Sequence, residues 1–133
     1  MGGFWFSTFG LIVAWLLLVP EPLGAWGPAT HIALGEVLLN SLYLLPPAIR
    51  LLLDAHPIEV LYGSVAADIS FGKKYVPEGR HSHFWTIGEE ILEAAPTPAL
   101  SAAAYGYLSH LAADTLAHNT YVPRKLFLTR TGK

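Results

Sequence analysis

The chain has 133 residues, a formal net charge of −2 and no cysteine, and 53% of its residues are hydrophobic. This length accommodates one domain at most, and the weak negative charge gives no electrostatic footprint for duplex DNA. Because cysteine is absent, disulfide scaffolds and cysteine nucleophiles are excluded, and any metal must be held by nitrogen and oxygen ligands.

Residues 1–25 predict a signal peptide or a membrane anchor. Residues 4–19 carry no charge and form an apolar run that ends at Pro20. At about 16 residues the run is short for a bilayer span, so we favour a signal peptide and a secreted or cell-envelope protein. The first residues contain no Lys or Arg, which keeps an uncleaved anchor at residues 4–19 as the alternative. Cleavage after Ala25 would make Trp26 the amino terminus.

Residues 26–133 predict an all-α domain. Apolar residues recur at helical spacing, prolines interrupt the pattern, and no stretch alternates long enough to suggest a sheet. We expect helices over roughly residues 28–45, 46–56, 57–68, 82–93 and 99–119, with Ser82 as the cap of the fourth. Small residues near the end of the third helix, among them Gly63, would let another backbone come close and help Asp68 to reach a shared centre.

The last predicted helix carries His110, Asp114 and His118 at four-residue spacing. Each such step advances about 40° beyond a full turn, so the three side chains form a gently spiralling stripe on one face. A cation would satisfy all three in a segment built for burial, whereas the plainer interpretation is a set of hydrogen-bonded polar residues. Further candidate ligands stand elsewhere in the chain, at His31, Asp68, His81 and His83.

Four motifs in this order resemble the zinc-dependent phospholipase C family. They are Trp26-Gly-Pro-Ala-Thr-His31, Ala-Ala-Asp68, Ser-His83-Phe and His110-x3-Asp114-x3-His118. That family includes the amino-terminal domain of glycosylphosphatidylinositol-specific phospholipase D and is related in fold to the S1/P1 nucleases. The resemblance implies a multi-helix phospholipase C/P1 nuclease-like bundle around two or three Zn²⁺ ions.

The resemblance also implies a role for each ligand. Trp26 would chelate the first zinc through its amino nitrogen and carbonyl oxygen, and Asp114 would bridge that ion to a second. His31 would complete the first site, Asp68, His83 and His110 the second, and His118 would begin a third. Asp68 is also the candidate base for the attacking water. The choice of His83 as the ligand leaves open the reverse case, in which His81 is the ligand.

One part of the family pattern is absent. The third zinc usually takes a His-x3-Glu or His-x3-Asp pair downstream, and no His, Asp or Glu follows His118 in this sequence. We therefore expect either a fragment of a longer protein or a shortened relative that binds two metals.

The expected function is hydrolysis of a phospholipid phosphodiester at a membrane surface, with no duplex nucleic acid and no protein partner. The alternatives are an S1/P1-like nuclease and a non-catalytic, membrane-anchored helical module that binds metal. Tyr105 and Tyr107 flank the ligand stripe, where they would either reach phosphate oxygens or, as we favour, pack in the core with a satisfied hydroxyl.

Overall fold

The computed structural model describes residues 27–69 and 75–130, and in these ranges the chain is helical without any strand. The helices are α1 (Pro28–Asn40), α2 (Pro47–Ala55), α3 (Pro57–Ala66), α4 (Trp85–Ala94), α5 (Pro98–Leu116) and α6 (Val122–Arg130). A 3₁₀ turn over Leu42–Leu44 follows α1, and a π-helical turn over Ala117–Tyr121 joins α5 to α6. The predicted all-α bundle is confirmed.

The predicted signal peptide or anchor in residues 1–25 lies outside the described residues, and so does Trp26. Among the helices that the structure describes, none has the length and apolarity needed to traverse a bilayer.

Prolines set where most of the helices begin. Helices α1, α2, α3 and α5 each have proline at their first position, where the fixed φ suits a helix and the missing N–H costs no hydrogen bond. Thr97 caps α5, since its hydroxyl accepts a hydrogen bond from the Leu100 backbone N–H at 3.3 Å. The sequence order of prolines therefore divides the chain into short helices and one long one.

Three predicted helix ends were wrong. The first helix stops at Asn40 and gives way to the 3₁₀ turn, and the long helix stops at Leu116, where the π turn begins. The fourth helix begins at Trp85 without a side-chain cap. Ser82 does not cap it because the Ser82 hydroxyl lies 3.2 Å from Nδ1 of His83 instead.

Helices α3 and α5 cross at very close range, which positions the site described below. A Cβ atom at Gly63 would lie 1.9 Å from the carbonyl oxygen of Ala103, and one at Gly106 would lie 2.1 Å from that of Val60. Each glycine thus faces the backbone of the opposite helix, and a side chain at either would force the helices apart. The close approach brings the carboxyl end of α3, with Ser64, against α5.

Two apolar clusters lie on either side of this crossing. Leu42, Leu53, Val60 and Ala102 form one cluster, against which Tyr105 packs. Ala67, Tyr107 and Leu111 form the other, next to the polar residues of α5. The second cluster therefore supports the helix turns that carry His110 and Asp114.

Candidate metal centre

Five of the predicted ligands converge at one place, and they come from four parts of the chain. His31 is on α1, Asp68 follows α3, His83 precedes α4, and His110 and Asp114 lie on α5. His31 and His110 are 1% exposed and Asp114 is 8% exposed. Such burial is unusual for these residue types and requires partners that satisfy the imidazole and carboxylate groups.

The carboxylate of Asp114 faces imidazoles with both of its oxygens. Its Oδ1 lies 3.3 Å from Nε2 of His31, while its Oδ2 lies 3.4 Å from Nε2 of His83 and 3.4 Å from Nε2 of His110. A carboxylate with nitrogen donors on two sides has the arrangement by which it can bridge two cations.

Two further contacts of His83 complete the group of candidate ligands. Nε2 of His83 lies 3.2 Å from Oδ1 of Asp68 and 3.2 Å from Nε2 of His110. Two sets of three have ligand atoms that all lie within 4.8 Å of one another, namely His31, Asp68 and His110, and His83, His110 and Asp114. His110 belongs to both sets, so the two sets form one continuous centre.

The proton on His110 can be placed from its surroundings. Nδ1 of His110 lies 2.9 Å from the carbonyl oxygen of Ser64. Because a carbonyl oxygen only accepts hydrogen bonds, Nδ1 carries the proton and Nε2 of the neutral ring presents a lone pair. That lone pair faces Oδ2 of Asp114, which is also an acceptor, so a cation between the two atoms would replace repulsion with attraction.

The spacing of these atoms is close to that of ligands that share one divalent cation. Two ligands bound to Zn²⁺ at about 2.0–2.2 Å in tetrahedral geometry are about 3.3–3.6 Å apart, and the contacts above measure 3.2–3.4 Å. Oδ1 of Asp114 is buried with no hydrogen-bond partner among the described residues. A divalent cation between Asp114 and His31 would satisfy that oxygen.

His118 lies apart from the buried imidazoles. It is exposed, in the π turn that follows α5. With Leu111 and Thr115 it lines an open cleft of about 260 Å³, which His83 and Asp114 also line. His118 is therefore placed at the edge of the centre, where a molecule entering the cleft would meet it.

Tyr107 and Ser82 make contacts near the centre that the sequence did not predict. The hydroxyl of Tyr107 donates a hydrogen bond to the carbonyl oxygen of Ser82, and the Ser82 hydroxyl lies 3.2 Å from Nδ1 of His83. Burial raises the pKa of Tyr107, so the phenol keeps its proton and remains a donor at neutral pH.

His81 and His83 occupy different environments. Nε2 of His83 faces Asp68 and Asp114, whereas Nδ1 of His81 accepts a hydrogen bond from the backbone N–H of His83 at 3.2 Å. His81 thus stabilises the turn that carries His83 through a hydrogen bond to its backbone.

The fold and this centre define a helical protein in which buried and partly buried histidines and aspartates suit divalent metal. The chain belongs to the zinc-dependent phospholipase C family, whose sequence model matches residues 30–133. No curated protein and no solved structure gave a match. The match to the family's sequence model confirms the predicted family. The matched range includes every side chain of the centre, and the family's name implies dependence on zinc.

Proposed function

We propose that this protein is a zinc-dependent phosphodiester hydrolase of the phospholipase C type that cleaves the phosphodiester of a phospholipid. The observation that carries the proposal is Asp114, whose two oxygens face His31 on one side and His83 and His110 on the other. Family membership supports the general reaction class, and the open cleft beside Asp114 supports access for a substrate.

In the proposed centre, these residues would hold two zinc ions. His31 would hold one ion together with the amino terminus at Trp26, Asp68, His83 and His110 would hold the other, and Asp114 would contribute to both. Bound zinc would supply a Lewis acid that activates water near neutral pH and stabilises negative charge on the phosphodiester oxygens.

Different side chains of this protein then transfer the proton and bind the substrate. Asp68 accepts the proton of the attacking water, and its side chain is 19% exposed, which leaves it more open to solvent than Asp114 at 11%. The phosphodiester would occupy the cleft, which the polar side chains of His118 and Thr115 and the apolar side chain of Leu111 line. A phospholipid substrate places this reaction at a membrane surface, consistent with a secreted or cell-envelope protein.

The test uses protein that begins at Trp26, beside the chain that retains residues 1–25. Zinc content is measured by elemental analysis, and turnover is measured with a chromogenic phosphocholine ester before and after chelation. We expect two or more zinc ions and turnover that chelation abolishes and added zinc restores. The chain that retains residues 1–25 should bind zinc more weakly, since an amide replaces the free amine of Trp26.

Asp114→Asn and Asp54→Asn make a matched pair for this experiment. Both remove one carboxylate charge, but Asp54 is exposed on α2, away from the centre. Only Asp114→Asn should lose zinc and turnover. Stoichiometric zinc without turnover would identify a metal-binding module instead of an enzyme, and preferential cleavage of single-stranded nucleic acid would identify a nuclease.

A further inference from the structure

Of the three imidazoles in the centre, His83 is the one that lies outside a helix. His31, His110 and Asp114 lie within helices, whereas His83 lies in the turn that precedes α4. A side chain in a turn keeps one orientation only when neighbouring groups fix its backbone and its ring.

A chain of two contacts links that turn to α5. The Tyr107 hydroxyl donates to the Ser82 carbonyl oxygen, and the Ser82 hydroxyl lies 3.2 Å from Nδ1 of His83. Tyr107 is 6% exposed, and its ring packs with Ala67 and Leu111. The phenol therefore stands on the same helix as His110 and Asp114 and reaches the segment that carries the third nitrogen ligand.

Two other contacts of the turn do less to fix the orientation of His83. The Arg80 guanidinium lies 2.7 Å from Oε1 of Glu90, but both side chains are more than half exposed, and exposed ion pairs restrain little because water screens them. The hydrogen bond from the His83 N–H to His81 stays within the turn. Neither contact ties the turn to the helix that carries the rest of the centre.

We propose that Tyr107 is a positioning residue for the metal centre, which holds Ser82 so that the Ser82 hydroxyl orients the His83 ring and its Nε2 faces Asp68 and Asp114. The inference rests on the zinc centre of the proposed function. Partners of metal-ligating histidines typically change metal affinity by about 10–100-fold when they are removed.

The test compares Tyr107→Phe with Tyr105→Phe. Each change removes one phenolic oxygen from α5 and keeps the ring that packs. Tyr105 packs against the cluster of Leu42, Leu53, Val60 and Ala102, so it serves as the matched control.

The first measurement is titration of each protein with Co²⁺, whose visible absorption reports ligand geometry. We expect Tyr107→Phe to bind Co²⁺ at the site containing His83 about tenfold or more weakly, with an altered absorption band. Tyr105→Phe should stay within about twofold of the parent protein. Unchanged affinity and an unchanged band in Tyr107→Phe would overturn the proposal.

The second measurement needs no metal. Nitrogen-15 NMR of the imidazole rings in the metal-free proteins should show one ordered tautomer for His83 in the parent and in Tyr105→Phe, and averaged signals in Tyr107→Phe. Identical His83 signals in all three proteins would refute the positioning role. Averaged His83 signals in Tyr107→Phe alone, in proteins that bind no Co²⁺ or Zn²⁺, would refute the zinc centre while supporting the role of Tyr107 in orienting His83.

Ser82→Ala, alone and combined with Tyr107→Phe in a double variant, tests whether Tyr107 affects metal affinity through Ser82. If Tyr107 acts through Ser82, the affinity lost in the double variant should be clearly smaller than the product of the two separate fold-changes. Independent, multiplicative losses would mean that Tyr107 affects the centre by another route and would overturn the proposal.

Discussion

The carbonyl oxygen of Ser64 on α3 lies 2.9 Å from Nδ1 of His110 on α5. A backbone group of one helix therefore decides which nitrogen of a candidate ligand on another helix carries the proton. The contact exists because α3 and α5 approach closely at Gly63 and Gly106. The packing of α3 against α5 and the orientation of the candidate ligand His110 are consequently coupled.

Gly63→Ala tests that coupling. The new Cβ would lie 1.9 Å from the Ala103 carbonyl oxygen, and a backbone atom cannot move aside without shifting the helix. We expect a net loss of about 1–3 kcal/mol in the free energy of unfolding, although alanine is the better helix former. Zinc affinity should fall as well, because Ser64 would move away from His110. Urea unfolding and zinc titration measure the two effects.

Gly88→Ala is the control for this change. Its Cβ would contact only side-chain atoms among its nearest neighbours, the closest being Cδ2 of Leu108 at 2.7 Å. A leucine side chain can adjust, so the loss should be smaller than that of Gly63→Ala. Equal losses in the two variants would show that the α3–α5 contact has no special role.

Much of the fold was predictable because prolines mark the helix starts. Proline stands at the first position of α1, α2, α3 and α5, and its effect is local, so sequence alone reveals it. The four-residue spacing of His110 and Asp114 was informative for the same reason, since α5 is regular up to Leu116.

The parts that were missed depend on contacts between distant segments. Ser82 looked like a helix cap, but its groups contact Tyr107 and His83. The Ser64 carbonyl leaves no sequence signature, because every residue has one. The π turn beginning at Ala117 also gave no signal, and it places His118 in an exposed segment.

Asp114→Asn should abolish stabilisation by zinc. Zinc at about 100 times its dissociation constant stabilises a folded protein by about 2.7 kcal/mol, which raises the Tm of a domain of this size by roughly 10 °C. Asparagine keeps the shape but loses the negative charge that faces His31, His83 and His110. Calorimetry with and without zinc checks the result, and a full zinc-induced rise in Tm for the variant would rule out Asp114 as the bridge.

Thr97→Ala should weaken the fold without altering the metal centre. The Thr97 hydroxyl accepts from the Leu100 N–H at the start of α5, three turns before His110, and loss of such a cap costs about 1 kcal/mol. We expect a lower urea midpoint and unchanged zinc affinity. Thr97→Ser keeps the hydroxyl and should restore most of the stability; if it does not, the loss comes from the methyl group and not from the cap.

His118→Ala should separate turnover from zinc binding. His118 is exposed beside the cleft and is not among the buried imidazoles that surround Asp114, so the zinc-induced rise in Tm should stay within about 2 °C of the parent value. Hydrolysis of the phosphocholine ester should fall about tenfold or more, as for residues that orient a metal site or its substrate. His56→Ala removes an imidazole at the α2–α3 junction and should leave both quantities unchanged. Loss of zinc stabilisation in His118→Ala would instead make His118 part of the buried centre, and full turnover would exclude it from the reaction.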